Sequence, residues 1–254
     1  MLEKERQKII MELLEMDGFV SVRNLMDTLQ VSRSSVMRDL IDLEKQGKLN
    51  REHGGAALKT GSIYASTEKK TSEKAELNAS SKKAVCREAA KELTDGECVY
   101  IDSGTTAAYM VPFLDKKDLM LVTPSIFLIR HLPDSFRGQI VLLGGSYDRK
   151  YDMSSGALTI EMLERFNFDH AFMTANGFSI RNNEVYVSTF ELGAVKKKVM
   201  ERCRKVDLLV DSTKKEVHAV CTFASLDDMH AVYVDDGLKD KDLPDNFVIC
   251  KIGK

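Results

Sequence analysis

The phrase Asp102-Ser103-Gly104-Thr105-Thr106 follows the apolar run Cys98-Val99-Tyr100-Ile101 and opens an amphipathic segment from Ala107 to Leu114. A glycine turn at a helix start presents backbone N–H groups, and serine and threonine hydroxyls add donors, so a phosphate fits there. The plainer reading of the same residues is a tight turn with an N-cap. Three further polar phrases follow apolar runs: Thr123-Pro124-Ser125, Gly144-Gly145-Ser146 and Asp211-Ser212-Thr213-Lys214. If those runs are strands of one parallel sheet, the phrases gather at the carboxyl ends, where open α/β sheets bind ligands. Lys214 would then neutralise a phosphate charge or bond a sugar hydroxyl, although a lysine after a strand is more often only solvated.

A second constellation lies in Ser32-Arg33-Ser34-Ser35-Val36-Met37-Arg38-Asp39-Leu40. With Val36, Leu40 and Leu43 facing a core, Arg33, Ser34, Met37 and Arg38 point outward near the N-terminal end of a helix. An arginine there grips guanine in the major groove, and the hydroxyls of Ser34 and Ser35 meet a phosphate or a base edge. A lone surface helix would carry the same residues as ordinary charges. Arg51 and His53 lie in a following turn, placed to touch phosphates or the minor groove.

Other chemistry finds no support. The chain holds no G-x-x-x-x-G-K-[ST], G-x-G-x-x-G, H-E-x-x-H or G-x-S-x-G, so no cofactor is expected. The histidines at 53, 131, 170, 218 and 230 show no metal-ligand spacing, and no metal is expected. His170 and His230 begin apparent strands and read as packed or hydrogen-bonded, and Lys196-Lys197-Lys198 reads as a solvated helix face with at most one lysine turned inward. Five cysteines without a C-x-x-C pair argue for reduced thiols, and no apolar run approaches a membrane span; a cytoplasmic protein is expected. The net charge of −2 excludes non-specific polyanion binding, but the sign is uneven: residues 1–29 carry −2 and residues 30–59 carry +2. The second stretch is the candidate contact surface.

These residues need elements to position them. Ile9, Ile10, Leu13 and Leu14, then Val22, Leu25, Met26 and Leu29, then Val36, Leu40 and Leu43 trace three one-faced helices. The brief connection Gln30-Val31-Ser32, with Ser32 as N-cap, makes the last two a helix-turn-helix. Gly47 supplies a left-handed C-cap, and Leu49 with Gly54-Gly55 fits a small β-hairpin wing. Seven short apolar runs beginning at 98, 119, 140, 170, 207, 231 and 247 then alternate with amphipathic stretches, which predicts an α/β main domain with a largely parallel sheet. The expected division is a winged helix-turn-helix domain over 1–58, a linker over 59–80, and an α/β domain over 81–254.

The phrase VSRSSVMRDLIDLEKQGKLNREHGGA, followed by IDSGTT, LLGG and DSTK, closely resembles the DeoR family of bacterial transcriptional regulators, in the family's order and over nearly the whole chain. The resemblance implies a winged helix-turn-helix that binds operator DNA, joined to a sugar-phosphate-sensing domain similar to ribose-5-phosphate isomerase. It places Asp102 to Thr106, Gly144, Gly145 and Lys214 on effector-binding phrases, and Thr123 and Ser125 on a strand end where Pro124 replaces the family's asparagine. Met37-Arg38 stands where the family writes two arginines, and Ser81 where it commonly has glutamate. Thr174-Ala175-Asn176-Gly177-Phe178 replaces the carboxylate loop of the isomerases, so proton abstraction has no base there. The expected function is a regulator, foremost a repressor, of a carbohydrate operon, released by a phosphorylated sugar and acting as a homo-oligomer, dimer or tetramer, off the membrane. The alternatives are a sugar-phosphate isomerase-like enzyme with an accessory DNA-binding domain, and a DNA-binding module whose large domain only oligomerises.

Overall fold

A computed structural model describes residues 3–17, 19–52, 55–58, 70–114, 118–240 and 242–253, in two compact units, Met1–Glu68 and Lys69–Lys254. The first unit runs α1 (Glu3–Asp17), β1 (Phe19–Ser21), α2 (Val22–Leu29), α3 (Arg33–Lys45), β2 (Leu49–Glu52) and β3 (Gly55–Leu58). The three helical stripes meet in one core: Ile10 and Leu14 from α1, Leu25 and Leu29 from α2, and Val36, Leu40 and Leu43 from α3, closed by Leu49 and Ala56. The end of α3 is fixed by backbone geometry. Gly47 takes a φ of 74°, its N–H donates to the Glu44 carbonyl, and the Lys48 N–H donates to the Leu43 carbonyl, a Schellman pair that turns the chain into the wing. The wing is a three-stranded sheet of order β1-β3-β2, one strand more than the hairpin read from the sequence. The additional strand, β1, has three residues, too few to show a period of two.

The second unit continues with α4 (Thr71–Ala75), α5 (Ala79–Ala89), β4 (Cys98–Ile101), α6 (Thr105–Ala108), α7 (Val111–Leu114), β5 (Met120–Thr123), α8 (Ile126–Ile129) and β6 (Gln139–Leu142). Then follow β7 (Ser146–Asp148), β8 (Met153–Ser155), α9 (Ala157–Leu163), β9 (Phe168–Thr174), β10 (Gly177–Ser179), β11 (Glu184–Val187) and α10 (Phe190–Glu201). It ends with β12 (Cys203–Leu209), β13 (Cys221–Ala224), β14 (Ala231–Asp235) and β15 (Phe247–Cys250). Seven strands form one sheet of order β15-β14-β12-β9-β4-β5-β6 in which every pairing is parallel. They are the seven apolar runs of the sequence. Alternate residues pack on opposite faces: Tyr100, Ala171, Met173 and Leu208 against α9 and α10, and Val99, Ile101, Phe172 and Leu209 against α5 and α7. Residues 71–80, within the stretch read as linker, belong to this unit; α4 is tied to the β7–β8 region by the Thr71 N–H donating to the Lys150 carbonyl at 3.0 Å.

From β4 the sheet grows through β5 and β6 on one side and through β9, β12, β14 and β15 on the other. The winding reverses between β4 and β9, and the crevice of an open α/β sheet lies beyond the carboxyl ends at that reversal. Asp102 and Thr174 end those two strands.

Candidate functional site

In the first unit, Ser32 caps α3 by accepting the Ser35 N–H at 3.3 Å, and its hydroxyl lies 2.9 Å from that of Ser34 and 3.1 Å from that of Ser35. Arg33, Ser34 and Arg38 are exposed and Ser35 is half-buried. Arg38 lies back along the helix, its Nε 3.4 Å from the Ser34 carbonyl oxygen. Met37 departs from the outward placement expected of it: it is half-buried and packs against the helical core, because an apolar stripe at least about 100° wide reaches the position beside Val36. Arg51 is engaged with α3, donating its backbone N–H to Glu44 Oε1 at 3.0 Å and its Nε to Glu44 Oε2 at 2.7 Å. Those bonds hold the Glu44 carboxyl below the usual range, the backbone bond most. His53 lies outside the described residues. The buried charge of this unit is one the sequence reading passed over: Asp39, 1% exposed, is clamped by Arg6 of α1 through Nε to Oδ2 at 2.7 Å and Nη2 to Oδ1 at 3.0 Å.

In the second unit the strand ends converge. Asp102 is buried, and its Oδ2 accepts the Thr174 N–H at 2.9 Å, the Thr174 hydroxyl at 2.5 Å and the Lys196 ammonium. Among the described residues no hydrogen bond is made to its other oxygen. Burial pushes the Asp102 carboxyl up, but the Lys196 charge and the bonds from Lys196 and Thr174 outweigh it and hold the group below the ordinary value. Gly104 brings its backbone against Thr174, where an added Cβ would fall 2.1 Å from the hydroxyl oxygen. Ser103, Gly104 and Thr105 are half-buried around the start of α6, and Thr106 is buried.

Lys82 of α5 is buried beside them, donating to Thr105 Oγ1 at 3.1 Å and to the carbonyls of Lys74 and Ala75 at 2.6 and 3.5 Å. Burial lowers its pKa to about 8, with Asp211 opposing the shift and Lys214 and Lys74 adding to it. Asn78, left-handed at φ 54°, donates Nδ2 to Asp211 Oδ1 and Thr213 Oγ1, both at 3.1 Å, and so fastens the α4–α5 segment to the end of β12. Lys214 is half-buried in the turn after Asp211, near enough to Lys82 to act on its charge.

The other strand-end phrases have internal duties. Thr123 and Ser125 are buried; Thr123 Oγ1 accepts the Ser125 N–H at 3.1 Å and Ser125 Oγ caps α8 on the Leu128 N–H at 3.0 Å. Both hydroxyls serve the loop that Pro124 crosses. Gly144 and Gly145 are exposed, the Gly144 carbonyl accepting from Thr159 at 2.7 Å. Gly145 sits at φ 144°, where a Cβ would lie 2.2 Å from the Thr159 hydroxyl oxygen. Lys82, Lys196 and Asn78 are what the strand-end phrases did not disclose.

Comparison with known proteins matches residues 6–61 to the DeoR-like helix-turn-helix domain and residues 77–236 to the DeoR C terminal sensor domain. The chain belongs to the DeoR family of transcriptional regulators. It is 32% identical over 241 residues to the HTH-type transcriptional regulator YulB of Bacillus subtilis, covering 94% of this chain and 91% of that protein. It is 29% identical to the lactose phosphotransferase system repressor of Streptococcus mutans, covering 92% of this chain and 93% of the repressor. Among solved structures, ribose 5-phosphate isomerase A of Methanocaldococcus jannaschii aligns at 18% identity over 53% of each chain with a TM-score of 0.38. The α/β unit of this DeoR-family chain is a DeoR C-terminal sensor domain. No helix among its described residues is long and apolar enough to cross a membrane.

Proposed function

We propose that this DeoR-family regulator represses a carbohydrate operon, holding operator DNA through Arg33, Ser34, Ser35 and Arg38 of α3 with Arg51 of the wing, and that a phosphorylated sugar in the sensor crevice releases it. The observation that carries this reading is that Lys196 meets Asp102 and Lys82 meets Thr105 at the winding reversal, with Lys214 near enough to Lys82 to lower its pKa, beside Ser103 and Gly104 and with one Asp102 oxygen left for a hydroxyl. Cations and N–H groups suit the phosphate, and the carboxylate suits the sugar. The name of the lactose phosphotransferase system repressor supports the carbohydrate class. Two copies related by a two-fold axis would read half-sites about one helical turn, or a multiple of it, apart. Release then requires that the sugar phosphate bind one arrangement of the copies better than the other, with a coupling of about 1–3 kcal/mol.

Genomic fragments selected by the protein, with and without a panel of sugar phosphates at fixed salt, test this reading, and two variants separate the sites. Arg38→Ala is expected to weaken operator binding roughly 10- to 100-fold, the loss of one arginine–base contact, and to leave sugar-phosphate binding intact. Lys214→Ala is expected to bind operator normally and to need at least about 10-fold more sugar phosphate for release, as befits one charge-assisted bond. Normal release of Lys214→Ala at unchanged ligand concentration overturns the crevice assignment.

Lys82 adds a pH dependence. Its protonated form attracts an anion, so affinity for the sugar phosphate is expected to fall as pH rises through about 8, by up to tenfold per pH unit above it. The phosphate is already mostly a dianion there, its second pKa being about 6. Calorimetric titration between pH 7 and 9.5 reads this directly, and Lys82→Met should remove the slope. A slope that survives in Lys82→Met assigns the dependence elsewhere.

A further inference from the structure

Three neighbouring strands bring two histidines and an aspartate together away from the crevice. His170 of β9, Asp207 of β12 and His230 immediately before β14 offer one ligand atom each, all within 4.8 Å of one another. The parallel register sets Lys205 opposite His170 and Asp207 opposite Phe172 and Ala231, so the side chains of His170 and Asp207 share a sheet face. The His230 N–H, donating to the Val206 carbonyl at 2.8 Å, holds the third residue against the same edge. The spacing of these histidines along the chain hides the cluster, which exists only through strand order.

The geometry is that of a ligand set. His170 Nε2 lies 2.6 Å from Asp207 Oδ2, and His230 Nδ1 lies 3.1 Å from Asp207 Oδ1. Asp207 is fully buried, and among the described residues its ion-pair partners are the two histidines alone, with no lysine or arginine. A carboxylate out of water needs a compensating charge. The His170 ring is stacked on Phe172, 4.5 Å between centroids, and its Nδ1 has no hydrogen-bond partner, so Nε2 is the ring's one polar attachment. His230 is 45% exposed and also lines a surface cleft of about 600 Å³, which gives a cation a way in and leaves a coordination position for solvent.

We propose that His170, Asp207 and His230 bind a late first-row divalent cation of the zinc type. Two imidazoles and one carboxylate are borderline donors that suit zinc, cobalt or nickel and not magnesium or calcium, and three protein ligands with one open position match the geometry zinc adopts in exchangeable sites. On binding, each imidazole presents an unprotonated nitrogen to the cation, and the His170 ring takes the tautomer that carries its proton on Nδ1. The Cys203 thiol at the start of β12 is not part of the set: burial pushes it up to about 12. The site sits about 13 Å along β9 from Thr174, four residues at strand rise, so it is separate from the crevice at the opposite end of the strands.

Chelator-treated full-length protein, free of any purification tag and titrated with Co²⁺ and then Zn²⁺, tests the proposal. One equivalent of Co²⁺ is expected to give visible absorption of four- or five-coordinate cobalt without a near-ultraviolet thiolate band, and Zn²⁺ should displace it. His230→Ala removes an exposed ligand without opening the core and is expected to weaken Zn²⁺ binding at least about 100-fold while far-ultraviolet dichroism is unchanged. Cys203→Ser should bind as the parent does. No binding at 100 µM metal, equal affinity in His230→Ala, or a thiolate band lost in Cys203→Ser each overturns the assignment and leaves His170-Asp207-His230 as a hydrogen-bonded triplet.

Discussion

Arg6→Ala is expected to abolish operator binding although Arg6 contributes nothing to the exposed face of α3. Its guanidinium is the bidentate partner of Asp39, which is 1% exposed beneath the same helix that carries Arg33 and Arg38. Removing one member of a buried pair leaves an uncompensated charge and typically costs about 3–5 kcal/mol. A unit of this size, closed by one small helical core, has a stability of about 3–5 kcal/mol to lose. The variant should therefore unfold its N-terminal unit near room temperature while the sensor unit stays folded. Calorimetry should show the N-terminal transition lowered or missing, and sugar-phosphate binding should be retained. Because the damage is a stranded charge and not a lost contact, Arg6→Met with Asp39→Leu should restore most of the stability. Unchanged melting of Arg6→Ala would show that solvent reaches Asp39 and the pair contributes little.

The buried charges on helices α3, α5 and α10 share one signature that is visible in the sequence. Val36, Asp39, Leu40 and Leu43, then Lys82, Val85, Cys86 and Ala89, then Leu192, Val195, Lys196 and Val199 all follow the i, i+3, i+4, i+7 spacing of a buried helix face. In each a charged residue stands at a core position, so its burial can be read locally. Its partner cannot: Arg6 lies 33 residues from Asp39 and Lys196 lies 94 from Asp102. The seven sheet strands were legible for the opposite reason, since a strand covered on both faces is a continuous apolar run that needs no partner to be recognised. Three-residue strands with polar members, such as Ser146-Tyr147-Asp148 and Gly177-Phe178-Ser179, offer no such run. The crevice phrases were legible as types of residue, but only the winding order separates Asp102 and Thr105 from Thr123 and Ser125, whose hydroxyl oxygens accept N–H groups of their own loop.

Asp102→Ala should produce the largest loss in the sensor unit, and two different quantities should fall for two different reasons. Stability falls because Lys196, 7% exposed at the side chain, is left without its counter-charge, again about 3–5 kcal/mol. Ligand response falls because the oxygen that faces no protein donor is gone and Thr174 is no longer held across the winding reversal. Adding Lys196→Met to Asp102→Ala separates the two: with no stranded ammonium, most of the stability should return, and sugar-phosphate binding should not. The pH behaviour of the parent makes the same division. A carboxylate held below its ordinary value of about 3.9 stabilises the fold at every pH above that and loses its contribution only as pH falls through the lower folded value, so Asp102 is silent near neutrality. Lys82, with its folded value near 8 against about 10.4 unfolded, works in the opposite range and direction: the unfolded chain binds the extra proton between those values, so stability rises with pH there while anion affinity falls. Thermal melts from pH 3 to 10, run with and without a sugar phosphate, should therefore show an acid limb that Asp102→Ala flattens and, in the parent, a ligand-dependent alkaline limb that Lys82→Met removes and that Asp102→Ala, which no longer binds the ligand, lacks as well.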